Sequence, residues 1–160
     1  MRIIFASDHA GYELKQVLVP FVESLGHDVE DVGARTFVED DDYPDYVALA
    51  AREVSKRPED TRAIVLGGSG QGEAIVANRF PRVRAVVFNG QYKPADGREV
   101  PQEIVTAREH NDANVLSLGA RFLNEEEAKE AVKLWLETPF SGDERHLRRI
   151  QKIEQYPDHS

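Results

Sequence analysis

The chain has no cysteine among its 160 residues, which excludes disulfides, thiolate metal ligands and a thiol acting as nucleophile or base. Long apolar runs are missing as well. Stretches such as Ala63-Ile64-Val65-Leu66 and Val47 to Ala51 fall far short of the ~20 residues a membrane helix needs. The opening MRIIFASDH lacks the extended apolar segment of a secretory leader. Basic residues are outnumbered, with 20 Lys plus Arg against 29 Asp plus Glu, a formal charge of −9 and a pI near 5.0. General nucleic-acid binding wants a basic face and is not expected. These absences lead to the expectation of a cytoplasmic protein with neither a membrane nor a nucleic-acid partner. What is present is ordinary for a globular protein: 41% apolar and 31% charged residues, in a length that suits one domain, residues 1–160.

Short β-branched runs alternate with helical stretches, the pattern of a parallel sheet flanked by helices. Strands are expected at Arg2 to Ala6, Asp28 to Val32, Ala63 to Leu66, Val83 to Phe88 and Asn114 to Leu118. Helices are expected at Tyr12 to Leu25, Tyr43 to Lys56, Glu73 to Phe80, Glu125 to Leu136 and Asp143 to Tyr156, with a weaker one from Glu103 to Glu109. The order predicts an α/β fold, a five-stranded parallel doubly wound (Rossmann-like) sheet with an extra C-terminal helix over 143–156. Ligands of such sheets bind beyond the carboxyl ends of the strands. Gly90 to Gln102 is the one long irregular segment and reads as a mobile or site-covering loop.

Four polar clusters fall at strand ends or on the last helix. Ser7-Asp8-His9-Ala10-Gly11 follows the first strand; the acid and imidazole there can orient a hydroxyl and meet an anion, or Ser7 or Asp8 simply caps the next helix. GGSGQGE, residues 67–73, lets backbone N–H groups of Gly68, Gly70, Gln71 and Gly72 converge on a negative oxygen at a helix start. It is neither a Walker loop nor a dinucleotide fingerprint, because no Gly-Lys-Ser/Thr follows and the glycine spacing is wrong; as an alternative it is only a tight turn. Glu73, one turn into that helix, could take a carbon-bound proton while the N–H groups and Ser69 hold the resulting enolate oxygen. The third cluster, Arg108 to Asn114, holds His110 as a candidate acid or base and Asn111 as a hydroxyl ligand; the alternative is His110 as a helix-end residue against the C-terminal dipole. On the last helix Arg145 and Arg149 share a face beside His146, suiting a phosphate or carboxylate, or forming ion pairs with Asp143, Glu144 and Glu154. Arg121 is a further anion candidate, and His27 and His159 read as surface residues.

Taken together, SDHAG at 7–11, LGHDVEDVG at 25–33, DYPDY at 42–46, GGSGQGE and ANR within 67–79, REHNDANVLSLGAR at 108–121 and RHLRRI at 145–150 resemble the type B ribose-5-phosphate isomerase family, with its galactose-6-phosphate isomerase relatives. The resemblance runs over most of residues 1 to 156. It implies ring opening of a sugar phosphate and a proton shift between C2 and C1 through an enediolate, without metal or cofactor. One branch of the family uses a cysteine after the third strand as carbon base; that place is Gly67 here. The other carries GGSGxGE with the glutamate as base, which this sequence matches at Glu73. By the same resemblance Ser69 and the backbone of Gly70 to Glu73 form the anion hole, and Asp8 and His110 assist ring opening. Asn111 and Tyr43 touch sugar hydroxyls, and His9, Arg121, Arg145, His146 and Arg149 hold the phosphate. The family's site lies between two subunits, so a homodimer or a dimer of dimers is implied.

The sequence departs from that pattern at 90–102, which is longer than the family leads one to expect. Tyr92, Lys93 and Arg98 there could add ligand contacts and favour a tetrose, allose or galactose phosphate over ribose 5-phosphate. A tolerated surface insertion is the plainer account. Two other readings differ in class. A non-catalytic sugar-phosphate sensor would need no base, and a flavodoxin-like or nucleotide-binding module would bind flavin or nucleotide.

Overall fold

The computed structural model describes residues 1–156; His159 lies outside the described residues. Five strands, β1 (Arg2–Ser7), β2 (Asp28–Asp31), β3 (Thr61–Gly67), β4 (Ala85–Phe88) and β5 (Val115–Gly119), pair in parallel in the order β2-β1-β3-β5-β4. The helices are α1 (Tyr12–Ser24), α2 (Tyr43–Lys56), α3 (Gln71–Ala77), α4 (Glu103–Asn111), α5 (Glu125–Glu137) and α6 (Glu144–Gln155), with one 3-10 turn at His9–Gly11. The doubly wound α/β sheet expected from the alternation of runs is therefore the fold.

Alternate residues of the central strands sort two cores. Ile3, Phe5, Ile64, Leu66, Leu116 and Leu118 pack against α1, α4 and α5 around the buried Trp135. Ile4, Ala6, Ala63, Val65 and Val115 pack against Val47, Ala50, Ala51 and Val54 of α2 and Ala77 of α3. β1 and β3 are buried almost throughout, which is why they read as continuous apolar runs rather than as alternation. Edge strand β2 alternates between exposed and half-buried.

Strand order reverses between β1 and β3. The chain leaves β1 for α1 on one face and leaves β3 for α3 on the other, opening a crevice at their carboxyl ends. Gly11 and Leu66 are in contact across it: a Cβ on Gly11 would lie 2.6 Å from the Cβ of Leu66, so nothing larger than glycine fits without displacement.

Several boundaries differ from the sequence reading, each for a local reason. α3 begins at Gln71, not Glu73, because Gly70 takes a left-handed conformation (φ 75°) as its N-cap. It stops at Ala77 because the Asn78 side chain turns to Ala85, accepting from its N–H at 2.7 Å and donating to its carbonyl at 3.1 Å. β4 starts two residues late, as Arg82 is at positive φ (65°) and the N–H of Arg84 is taken by the Asn114 side chain at 2.7 Å. α4 runs on to Asn111, ending at left-handed Asp112. Its apolar stripe is broken by Arg108, which is buried and donates to the carbonyls of Thr138 and Ala113 and to the Asp112 carboxylate.

Candidate active site

The loops after β1, β3 and β5 surround a cleft of about 600 Å³ that brings together Asp8, His9, Tyr43, Gly68, Ser69, Gln71, Gly72, Glu73 and Arg121. Nine of the residues singled out from sequence thus share one surface. The cleft sits at the crevice where strand order reverses.

The glycine-rich turn is pinned from behind. Four successive carbonyls have donors from the β4–β5 side: Gly67 from the N–H of Ala120 (2.8 Å), Gly68 from that of Arg121 (3.1 Å), Ser69 from the Asn89 side-chain amide (2.9 Å) and Gly70 from the Ser117 hydroxyl (2.5 Å). With the carbonyls so occupied, the N–H groups of the turn are the polar groups left to meet an anion. Ser69 also accepts from the N–H of Gln71 at 3.3 Å. Gly72 lies under the Tyr43 hydroxyl and Gly68 under the Arg121 guanidinium, close enough that a side chain on either would collide.

Glu73 is 4% exposed. Burial pushes its carboxyl above the usual glutamate value, its own backbone N–H pulls partly back, and the nearby Asp8 charge pushes up again. Its carboxylate occupies the space over Gly67: a Cβ there would overlap Glu73 Oε1. A side chain at 67 and this placement of Glu73 are mutually exclusive. A buried carboxylate next to the N–H groups of this turn is equipped to exchange a proton with carbon while the donors hold an adjacent oxygen.

Asp8 is both a cap and a lining residue of the cleft. Its carboxylate caps the 3-10 turn, accepting from the N–H of Ala10 at 3.0 Å, and it still lines the cleft. His9 is held by Asp41, whose Oδ1 accepts from its N–H at 2.9 Å and pairs with Nδ1 at 2.8 Å. Asp41 raises the His9 pKa, burial opposes, Asp8 adds to the rise and Arg121 subtracts. Asp8, His9 and Asp41 are the group of side chains, among the described residues, with potential metal-ligand atoms within 4.8 Å of one another. The Asp41 oxygen already serves two donors of His9, so the trio is accounted for as an ion-pair network.

His110, Asn111, Arg145, His146 and Arg149 do not line this cleft. They lie at the end of α4 and on α6, and His110 and His146 meet where these two helices touch. The rings of His110 and His146 lie 4.3 Å apart at 31°, and Ser141 Oγ is 2.9 Å from His146 Nδ1. The ion pairs anticipated for the arginines are absent among the described residues. Asp143 instead caps α6 through the N–H of Arg145 (2.8 Å), and Glu154 pairs with Arg84 (2.7 Å). The polar candidates therefore form two groups on one chain.

The 90–102 segment is hinged at its base. Gln91 Oε1 accepts from the N–H of Glu103 (2.8 Å), and the Glu103 carboxylate accepts from the N–H of Tyr92 (2.7 Å). With β4 and α4 it encloses a second cavity of about 530 Å³, with Tyr92 and Pro101 on one side and Asn111 at the edge. The segment stands beside the α4 group, away from the Glu73 cleft.

Asp41 and Asn89 escaped the sequence reading. Asp41 stands in the acidic run Glu39 to Asp42, which looks like any solvated charge run, and Asn89 is a lone amide after a strand. Only the tertiary fold returns them to His9 and Ser69.

Comparison with known proteins identifies the family. The model of a family described as Ribose/Galactose Isomerase matches residues 3–153. The ribose-5-phosphate isomerase B of Mycolicibacterium paratuberculosis is 40% identical over 156 residues, 98% of this chain and 91% of that protein. That of Mycobacterium tuberculosis is 38% identical over 98% of this chain and 90% of its own. Among solved structures, ribose-5-phosphate isomerase B from Mycoplasma genitalium with bound ribulose-5-phosphate superposes with a TM-score of 0.89 at 33% identity, covering 99% of this chain and 97% of that one. The chain belongs to the ribose/galactose isomerase family and is an enzyme of the isomerase class. No helix among the described residues is long and apolar enough to cross a membrane.

Proposed function

We propose that the chain interconverts ribose 5-phosphate and ribulose 5-phosphate, with Glu73 as the carbon base. The observation that carries this reading is the buried Glu73 carboxylate beside a turn whose four carbonyls are all occupied from behind. The substrate follows the relatives, whose names specify ribose 5-phosphate.

In the reaction Asp8 and His110 move the protons that open the sugar ring. The Glu73 carboxylate then removes the C2 proton. The electron pair of that C–H bond forms the C1–C2 double bond, and negative charge moves onto the former aldehyde oxygen. Ser69 and the N–H groups of Gly70, Gln71 and Gly72 hold that oxygen; losing one such donor typically costs ~10²–10³ in rate. Protonated Glu73 returns its proton to C1 while the proton of the C2 hydroxyl passes to the charged C1 oxygen, leaving the ketose with its C2 carbonyl and C1 hydroxyl. His9 and Arg121 bind the phosphate, and Tyr43 a sugar hydroxyl.

His110, Asn111, Arg145, His146 and Arg149 complete the site from a second copy of the chain, so the active form is a homodimer or a pair of dimers. Their exposure and the lack of carboxylate partners for the arginines support this reading.

A second reading, isomerisation of a tetrose, allose or galactose phosphate, is favoured by the extra cavity that the 90–102 segment builds beside Asn111. An isomerase assay in EDTA, run on ribose 5-phosphate and on each of these sugars, decides. Fastest conversion of ribose 5-phosphate is expected. Conversion of only another sugar would keep the mechanism and reassign the substrate, while no turnover on any of them would contradict the catalytic reading.

A further inference from the structure

The loop between β2 and α2 leaves the sheet edge and returns one carboxylate, Asp41, to the end of β1. It is anchored where it departs: the N–H of Ala34 donates to Ser7 O at 2.7 Å, and fully buried Lys15 bridges the Asp31 carboxylate (2.8 Å) and the Ala34 carbonyl (2.5 Å). From there the loop places Phe37 edge-on to the His9 ring, 6.3 Å between centroids. The Asp41 side chain is 6% exposed against 29% for His9, so the carboxylate lies beneath the ring and the ring lies toward solvent.

We propose that Asp41 is a positioning residue for anion recognition: by accepting from both the N–H and Nδ1–H of His9 it fixes the ring and aims Nε2–H at the phosphoryl group bound in the cleft. The chemistry requires such a partner. A neutral imidazole whose one proton sits on Nδ1 offers only a lone pair at Nε2, which repels a phosphate oxygen; a doubly protonated ring donates from both sides. The charged groups facing His9 are Asp8 on its own turn, Asp41 on the returning loop and Arg121 after β5, with the Tyr46 hydroxyl of α2 behind Asp41. The two carboxylates favour the imidazolium and Arg121 opposes it. Burial alone would raise the Asp41 carboxyl, yet the His9 donors and Tyr46 together hold it below the usual carboxylate value. With its folded value raised, His9 stays charged to higher pH than a free histidine, and anion affinity falls as pH rises through that value.

The proposal deepens the reading of His9 as a phosphate ligand and rests on it, but its test needs no turnover. The His9 ring is titrated by NMR in the wild-type chain, in Asp41→Asn and in Asp41→Ser, with the signal assigned by its loss in His9→Gln. Inorganic phosphate is the binding probe. Expected are a lower His9 midpoint in both Asp41 variants and, at a pH between the wild-type and variant midpoints, a phosphate Kd weakened roughly fivefold to tenfold, the order expected for losing a charge-assisted hydrogen bond. In the His9→Gln background Asp41→Asn should change the phosphate Kd no further. An unchanged His9 midpoint, or an equal further loss in that background, would overturn the proposal. If phosphate fails to perturb the wild-type His9 signal while the midpoint still falls in the variants, the phosphate-ligand reading fails and the Asp41 clamp on His9 stands.

Discussion

The two groups of polar residues differ in how the chain holds them. Around Glu73 the backbone is immobilised by the ends of three strands, its carbonyls are taken, and the key carboxylate is buried. At the junction of α4 and α6 the residues are mostly exposed, and two imidazoles stack with Ser141, among the described residues, as the hydrogen-bond partner of His146. Preorganisation within a single chain suits the Glu73 group to the proposed carbon proton transfer, because dipoles aligned in advance need no rearrangement when charge develops. Exposed cations that lack a carboxylate partner among the described residues fit the proposal that this group meets a ligand or a second copy.

The largest expected effect falls on the first group. Glu73→Gln should lower kcat by at least ~10³-fold, within the range for losing a general base, while the folded chain still binds sugar phosphate. Stability should move the other way. Because burial raises the Glu73 pKa in the folded state, its ionisation opposes folding progressively as pH climbs from the ordinary glutamate value to the raised one. Above that window the glutamine variant should be the more stable, by about 1 kcal/mol, checked by thermal melts across pH. By the same shift, the acid limb of kcat should lie above the ordinary glutamate pKa. A side chain at Gly67 should act through Glu73: Gly67→Ala displaces the carboxylate and should reduce kcat about 100-fold, the scale for misplacing a reacting group by an ångström.

The contrast sharpens when the groups are separated onto different chains. Glu73→Gln and Arg149→Ala should each be nearly inactive alone. Unfolded and refolded together in equal amounts, they should recover about a quarter of the wild-type activity, since random pairing gives half mixed dimers with one intact site in each. No recovery would place both groups in one chain's site. A smaller effect is expected behind the turn. Asn89→Ala removes the donor to the Ser69 carbonyl and should lower kcat about tenfold with little change in KM, on the scale of one hydrogen bond.

Much of this was legible in the sequence. Runs such as RIIFA and AIVL placed the central strands, since a strand buried on both faces must be apolar throughout. Strand-end position then pointed to Asp8, His9, Glu73 and Arg121. Less legible was anything decided by a single backbone conformation or a distant side chain. The left-handed Gly70 moves the start of α3, buried Arg108 spoils the apolar stripe of α4, and Asp41 reaches His9 only because the β2–α2 loop folds back. Sequence spacing also could not show that the REHN and RHLRR clusters meet each other rather than the cleft, because that meeting depends on how α6 lies against α4.

The central claim is that Glu73 moves the carbon-bound proton, and solvent exchange tests it most directly. Wild-type chain incubated with ribose 5-phosphate in deuterium oxide should place deuterium at the carbons between which the proton moves, followed by NMR. Folded Glu73→Gln should bind the same sugar and incorporate none. Exchange by that variant at the wild-type rate would contradict the account.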